Sequence, residues 1–135
     1  MSDNSSIFVS TIDLERIYAL LENMKSLPEA LIRLEDELDR ANIVEPECIP
    51  DNVVTMNSTV IFKFIGNEKQ IQKKLVYPHE VKTNDEISIF APIGSALLGL
   101  SVGQQLSWPM PDGNERTIEI LDVVYQPERS GEYCV

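Results

Sequence analysis

The sequence predicts an α+β chain: an N-terminal antiparallel helical hairpin, followed by a β-sheet domain with one short helix. Two observations lead there. Apolar residues recur at spacings of three and four between residues 12 and 42, and short β-rich runs, some clearly alternating, take over after residue 52. Between the two regimes lies a stretch with two prolines, Val44-Glu-Pro-Glu-Cys-Ile-Pro-Asp-Asn52. This divides the chain into a helical arm at 1–43, a linker at 44–52 and a sheet domain at 53–135.

The first helix is expected from Ile12 to about Met24, with Leu14, Ile17, Leu21 and Met24 on one face. Ser10 or Thr11 can cap its start, and Asp13 and Glu15 complement the positive end of its dipole. Ser26-Leu-Pro-Glu29 reads as a capping box that opens a second helix running to about Asn42. Its stripe is Leu31, Leu34, Leu38 and Ala41, and its other face carries Arg33, Glu35, Asp36, Glu37, Asp39 and Arg40. Two such helices joined by a tight turn should fold back on one another, their stripes packed together in an arm of about 20 Å. Strands are expected over 53–65, 71–77, 86–90, 104–110 and 116–125, with turns at Gly66-Asn67 and Asp112-Gly113-Asn114. Ile93 to Gly99 is apolar and small, which suits a short buried helix ending at a glycine.

The 135 residues include 22 acidic and 11 basic side chains, for a net charge of −11. Such acidity disfavours general nucleic-acid binding and an anionic membrane surface, and favours a partner with a basic face. No apolar run approaches the roughly 18 residues of a membrane span. The N-terminus has no basic segment followed by an apolar core, so no signal peptide is expected. Cys48 and Cys134 match no metal or redox spacing, and free thiols fit a reducing cytoplasm.

Residue chemistry points to no catalytic centre, metal or cofactor. His79, the one histidine, follows Pro78 and reads as a solvated loop residue. Glu35-Asp36-Glu37 with Asp39 reads as the wet face of the second helix, and Trp108 as a core or edge-strand aromatic. Lys63, Lys69, Lys73 and Lys74 make one basic spot around the first hairpin.

The stretch Ala91-Pro-Ile-Gly-Ser-Ala-Leu-Leu-Gly-Leu-Ser-Val-Gly103, followed by a strand, a Pro-Asp-Gly turn and Ile118-Glu-Ile-Leu-Asp-Val, resembles the C-terminal domain of the transcript-cleavage factors GreA and GreB. Leu38-Asp-Arg-Ala41, Val53-Val-Thr-Met-Asn-Ser58, Leu75-Val-Tyr-Pro78 and Tyr125-Gln-Pro-Glu128 resemble the short-armed Rnk branch of that family, the regulators of nucleoside diphosphate kinase. The resemblance implies an FKBP-like sheet domain behind a short coiled coil, in a cytoplasmic protein whose partner is RNA polymerase, met at the mouth of its secondary channel. No nucleic acid, membrane or small-molecule substrate is implied.

In the family an acidic residue, a serine and a proline before the short helix help dock the domain. Here Pro92 matches, and Phe90 and Ala91 stand at the other two positions. The family's cleavage activity needs a close acidic pair at the tip of a long arm. Here the tip carries Glu22, Lys25 and Glu29, so no cleavage stimulation is expected. Two alternatives are an FKBP-like prolyl isomerase and a regulator acting directly on nucleoside diphosphate kinase.

Overall fold

The structure is a computed structural model that describes residues 7–110 and 112–131. Pro111, which precedes the second expected turn, and Cys134 lie outside the described residues. The chain enters as strand β1 (Phe8–Ser10) and passes directly into helix α1 (Thr11–Glu22). Of the two possible caps it is Ser10 that acts, its Oγ accepting from the Asp13 N–H at 3.1 Å. Helix α2 (Glu29–Arg40) starts later than the capping box predicts, with Pro28 at its cap and no side-chain cap bond. The reason is local: Leu27 precedes a proline and is thereby pushed out of the helical region, so Ser26 cannot open the helix.

After Arg40 the backbone extends, and Asn42–Val44 form strand β2, paired in parallel with β1. Neither three-residue strand is legible as an alternation. Parallel neighbours need a crossover, and α1 with α2 supplies it. The strand pair therefore ties together the two ends of the helical segment.

The main sheet has five strands in the order β5-β4-β3-β7-β6: β3 (Thr59–Phe64), β4 (Ile71–Val76), β5 (Glu86–Ser88), β6 (Gln105–Pro109) and β7 (Glu115–Tyr125). All pairings are antiparallel except β4 with β5. The first strand is shorter than expected because 54–58 forms a turn, with Ser58 N donating to Thr55 O at 3.0 Å. Gly66 and Gly113 sit in the expected turns at φ of 91° and 89°. Register shifts between β3 and β7 keep Ile118, Ile120 and Val123 all on the buried face, although plain alternation would turn Val123 outward.

Helix α3 (Pro92–Leu97) lies where the apolar stretch predicts. A Cβ on Gly94 would fall 1.8 Å from the Ser88 carbonyl oxygen, so only glycine allows the helix to lie this close to β5. Gly99, at φ +82°, turns the chain back against Ile7.

The two helices do not spend their stripes on one another. Ile17 and Leu21 of α1 and Leu31, Leu34 and Leu38 of α2 are buried in one cluster with Val60, Phe62, Leu97, Trp108, Ile118 and Ile120. Helix α2 packs on α3 and β6, and α1 on β1 and β2. An antiparallel sheet buries one face and must be covered on it, and the helices provide that cover. The charged face of α2 is also less uniform than expected: Glu37 is buried, with Arg40 Nη2 on its carboxylate at 2.7 Å.

Candidate partner-binding surface

The Phe90-Ala91-Pro92 loop joins β5 to α3, and all three residues are half-buried. Its shape is set by local bonds: Ala91 N donates to Ser88 O at 3.0 Å, and Phe90 N to Ser88 Oγ at 2.9 Å. Pro92 sits in the first turn of α3, where its missing N–H costs nothing. Beneath it, Ser95 Oγ donates to Pro92 O at 2.8 Å and accepts from Trp108 Nε1 at 3.0 Å. Trp108 is 1% exposed, so it is a core residue, and the Arg33 guanidinium lies 5.1 Å from its ring centroid. Arg33 also reaches Ser107 O and Glu115 Oε2, each at 3.4 Å. The start of α3 is thus linked through buried side chains to α2.

Glu22, Lys25 and Glu29 are all exposed, at the end of α1, in the connection and at the start of α2. They do not form one cluster with the Phe90-Ala91-Pro92 loop. Glu29 alone joins Pro92 in a groove of about 290 Å³, whose other walls are Pro28, Ala30, Pro109, Met110 and Gly113. Sequence reasoning had no signal for this meeting, because positions 28, 92 and 109 are brought together only by the packing of α2 across α3 and β6.

A second groove, of about 400 Å³, lies between α1 and the 3₁₀ turn Pro78–Glu80, lined by Arg16, Leu20, Asn23, Tyr77, His79 and Glu80 among others. His79 is exposed, as expected, and stacks at 6.4 Å on the Tyr77 ring. At the inner end of α1, Asp13 is 6% exposed rather than a solvated first-turn acid. Its carboxylate accepts from Met56 N at 3.2 Å and from Tyr77 Oη at 3.5 Å. Burial, seconded by the nearby Glu128 carboxylate, pushes Asp13 up to about 7. Burial raises Glu128 as well, while its bond from the Thr55 hydroxyl at 2.8 Å opposes the rise. Burial, followed by the Asp13 charge, also raises the Tyr77 hydroxyl.

The basic spot is not bare. Lys73 Nζ bonds Asn84 O, and Lys73 and Lys74 share a groove with Asp85 and Glu86. Of the acidic run, Asp39 accepts from the Tyr18 hydroxyl, which bridges α1 and α2. Among the described residues no three His, Cys, Asp or Glu side chains converge as a metal site, and no helix is long and apolar enough to cross a membrane.

Comparison with known proteins agrees with this architecture. The family profile "Transcription elongation factor, GreA/GreB, C-term" matches residues 49–125, and "Rnk N-terminus" matches residues 5–44. The chain is 42% identical to a regulator of nucleoside diphosphate kinase from Escherichia coli (strain K12), over 96% of this chain and 97% of the relative. It is 31% identical to transcription elongation factor GreA of Syntrophus aciditrophicus, over 81% of this chain and 68% of that protein. A solved structure of a prokaryotic transcription elongation factor GreA/GreB from Nitrosomonas europaea superposes with a TM-score of 0.72 at 46% identity, covering 89% of this chain and 98% of that one. The chain belongs to the GreA/GreB family, in the branch that carries the Rnk N-terminus.

Proposed function

We propose that this chain is a non-catalytic transcription regulator that binds bacterial RNA polymerase at the secondary-channel entrance and competes there with Gre-type factors, without stimulating transcript cleavage. Family membership supports the partner, and relatives named as regulators or elongation factors support a role without catalysis of its own. The observation that carries the non-cleaving part is the connection between α1 and α2. Its carboxylates, Glu22 and Glu29, stand at opposite ends of the turn with Lys25 between them, and only Glu29 reaches the Pro92 groove. A divalent ion needs several oxygen ligands about 2–2.6 Å away, which this spacing does not offer. Each helix has 12 residues, or about 18 Å of length, too little for a long channel.

In this reading the helical segment within 1–43 covers the sheet rather than projecting as a free coiled-coil arm, 44–52 is a linker and 53–135 an FKBP-like domain, and the protein works in the cytoplasm. Phe90, Ala91 and Pro92 are the docking loop, more apolar than the family's acidic and serine-bearing version. The isomerase alternative is not favoured, because the indole that would floor an aromatic cage is buried under Arg33. The kinase in the relative's name requires no direct contact if the control is transcriptional.

The test is a competition titration with labelled Gre factor on core RNA polymerase. Displacement with no stimulated RNA cleavage is the expected result. Failure to displace at high micromolar concentration would refute polymerase binding.

A further inference from the structure

We infer that the groove between the start of α2, Pro92 and the end of β6 is a docking seat for a partner segment that inserts an apolar side chain beside a lysine or arginine. This rests on the polymerase reading and deepens it: the seat adds Glu29 and Met110 to the loop, and assigns the chemistry of the segment it receives.

The shape argues for a side chain. At about 290 Å³ the groove lies at the bottom of the ~300–1,000 Å³ range of small-molecule sites, room for a side chain rather than a large ligand. Pro28, Pro92 and Pro109 come from three separate elements and have almost no side-chain freedom to lose on binding, so the walls are preorganised. Met110 is half-buried and unbranched, and can adapt to the shape of what enters.

The charge selects the segment. Among the described residues Glu29 is the one charged side chain lining the groove, it is exposed, and no salt bridge is found for it. Arg33, one turn further along α2, is held by Glu115, Ser107 O and the Trp108 ring. The rim is therefore negative on a chain of net −11, which attracts a cationic segment and repels a second copy of this chain. The groove beside His79 carries both Arg16 and Glu80 on its walls and makes no such selection.

The test is a titration of core RNA polymerase into fluorescently labelled full-length chain at two salt concentrations, with thermal melts as a fold control. Glu29→Lys should weaken binding about tenfold at low salt, and should flatten its salt dependence. Met110→Asp should weaken it at least as much. Should Met110→Asp fail to fold, Glu29→Lys and Glu29→Gln decide the matter, since position 29 is exposed. Wild-type affinity in both Glu29 variants, alongside weakened binding of Pro92→Gly, would overturn the seat and leave the polymerase reading standing. No binding by the wild-type chain would end both. If sedimentation shows a dimer that Glu29→Lys alone abolishes or strengthens, with polymerase affinity unchanged, the occupant is a second copy and the inference is wrong.

Discussion

The helical segment is fastened to the sheet at two places by two different kinds of chemistry. On the α2 side the buried part of the fastening is packing and hydrogen bonds between uncharged groups, Trp108 on Ser95 and Ser95 on Pro92, while Arg33 lies over the indole and pairs with Glu115 at the half-exposed rim. On the α1 side it is a buried carboxyl, Asp13, held by Met56 N and the Tyr77 hydroxyl with Glu128 close by. Neutral packing stabilises alike at any pH, whereas a buried carboxyl is cheap to bury only while it holds its proton. The groove at Pro92 therefore sits on the pH-indifferent fastening, and the pH dependence of the fold should arise from the other one.

The largest effect should come from breaking the first fastening. Trp108→Ala removes a ring that is 1% exposed, takes the donor from the Ser95 hydroxyl and leaves Arg33 without its face. A loss of about 3–5 kcal/mol is expected in urea unfolding, of similar size at pH 5 and pH 8. Trp108→Phe keeps most of the ring and should lose less. A loss that changed strongly with pH would break the contrast.

The second fastening is tested by proton linkage. Asp13 stands at about 7 in the fold against an ordinary 3.8, so between those values the folded chain holds a proton that the unfolded chain has released. Stability should therefore fall as pH rises from about 4 to about 7 and then level off. At about 1.4 kcal/mol per pH unit, this gap has a ceiling of about 4 kcal/mol. Glu128 is raised too and pushes the same way. Asp13→Asn should flatten most of this slope and gain stability relative to wild type at pH 8, since its amide carries no charge. Its oxygen can still accept from Met56 N, and the Tyr77 hydroxyl can turn to accept from the amide nitrogen. Unfolding curves across pH, with the carboxyl carbon of Asp13 followed by NMR, check both halves. An unchanged slope in the variant would move the effect to Glu128.

These two fastenings also mark where sequence reasoning reached and where it stopped. The five strands, α3 and both glycine turns were readable, because alternation and turn chemistry are local signals. Trp108, read as a core or edge-strand aromatic, is both, buried on the outer strand β6. The destination of the helix stripes was not readable: Leu31, Leu34 and Leu38 look the same whether they face a partner helix or a sheet, and only the packing of α2 on α3 and β6 decides. Asp13 is indistinguishable from an ordinary first-turn acid until Met56 and Tyr77, 43 and 64 positions away, are folded onto it. Family resemblance marked the Phe90-Ala91-Pro92 loop as the one proposed to dock, but gave no sign of its meeting with Glu29, which depends on how α2 crosses α3.

The smallest effect separates the two caps, and it sharpens the contrast at the α1 end. In the sequence Ser10 shares the cap of the first helix with Thr11, and Ser26 heads the capping box of the second. Ser10 is 1% exposed and its Oγ holds the Asp13 N–H, so it stabilises α1 and fixes the backbone that carries the buried carboxyl. Ser26 is exposed and bonds no helix N–H, because Pro28 delays the start of α2. Ser10→Ala should cost about 1 kcal/mol, and Ser26→Ala should stay within about 0.5 kcal/mol of wild type. Ser10→Ala should shift the whole stability–pH curve downward and keep its slope, because the cap carries no proton of its own in this range. A change of slope would mean that the cap sets the burial of Asp13 as well as the start of the helix. Equal costs at Ser10 and Ser26 would restore the capping box and with it a longer second helix.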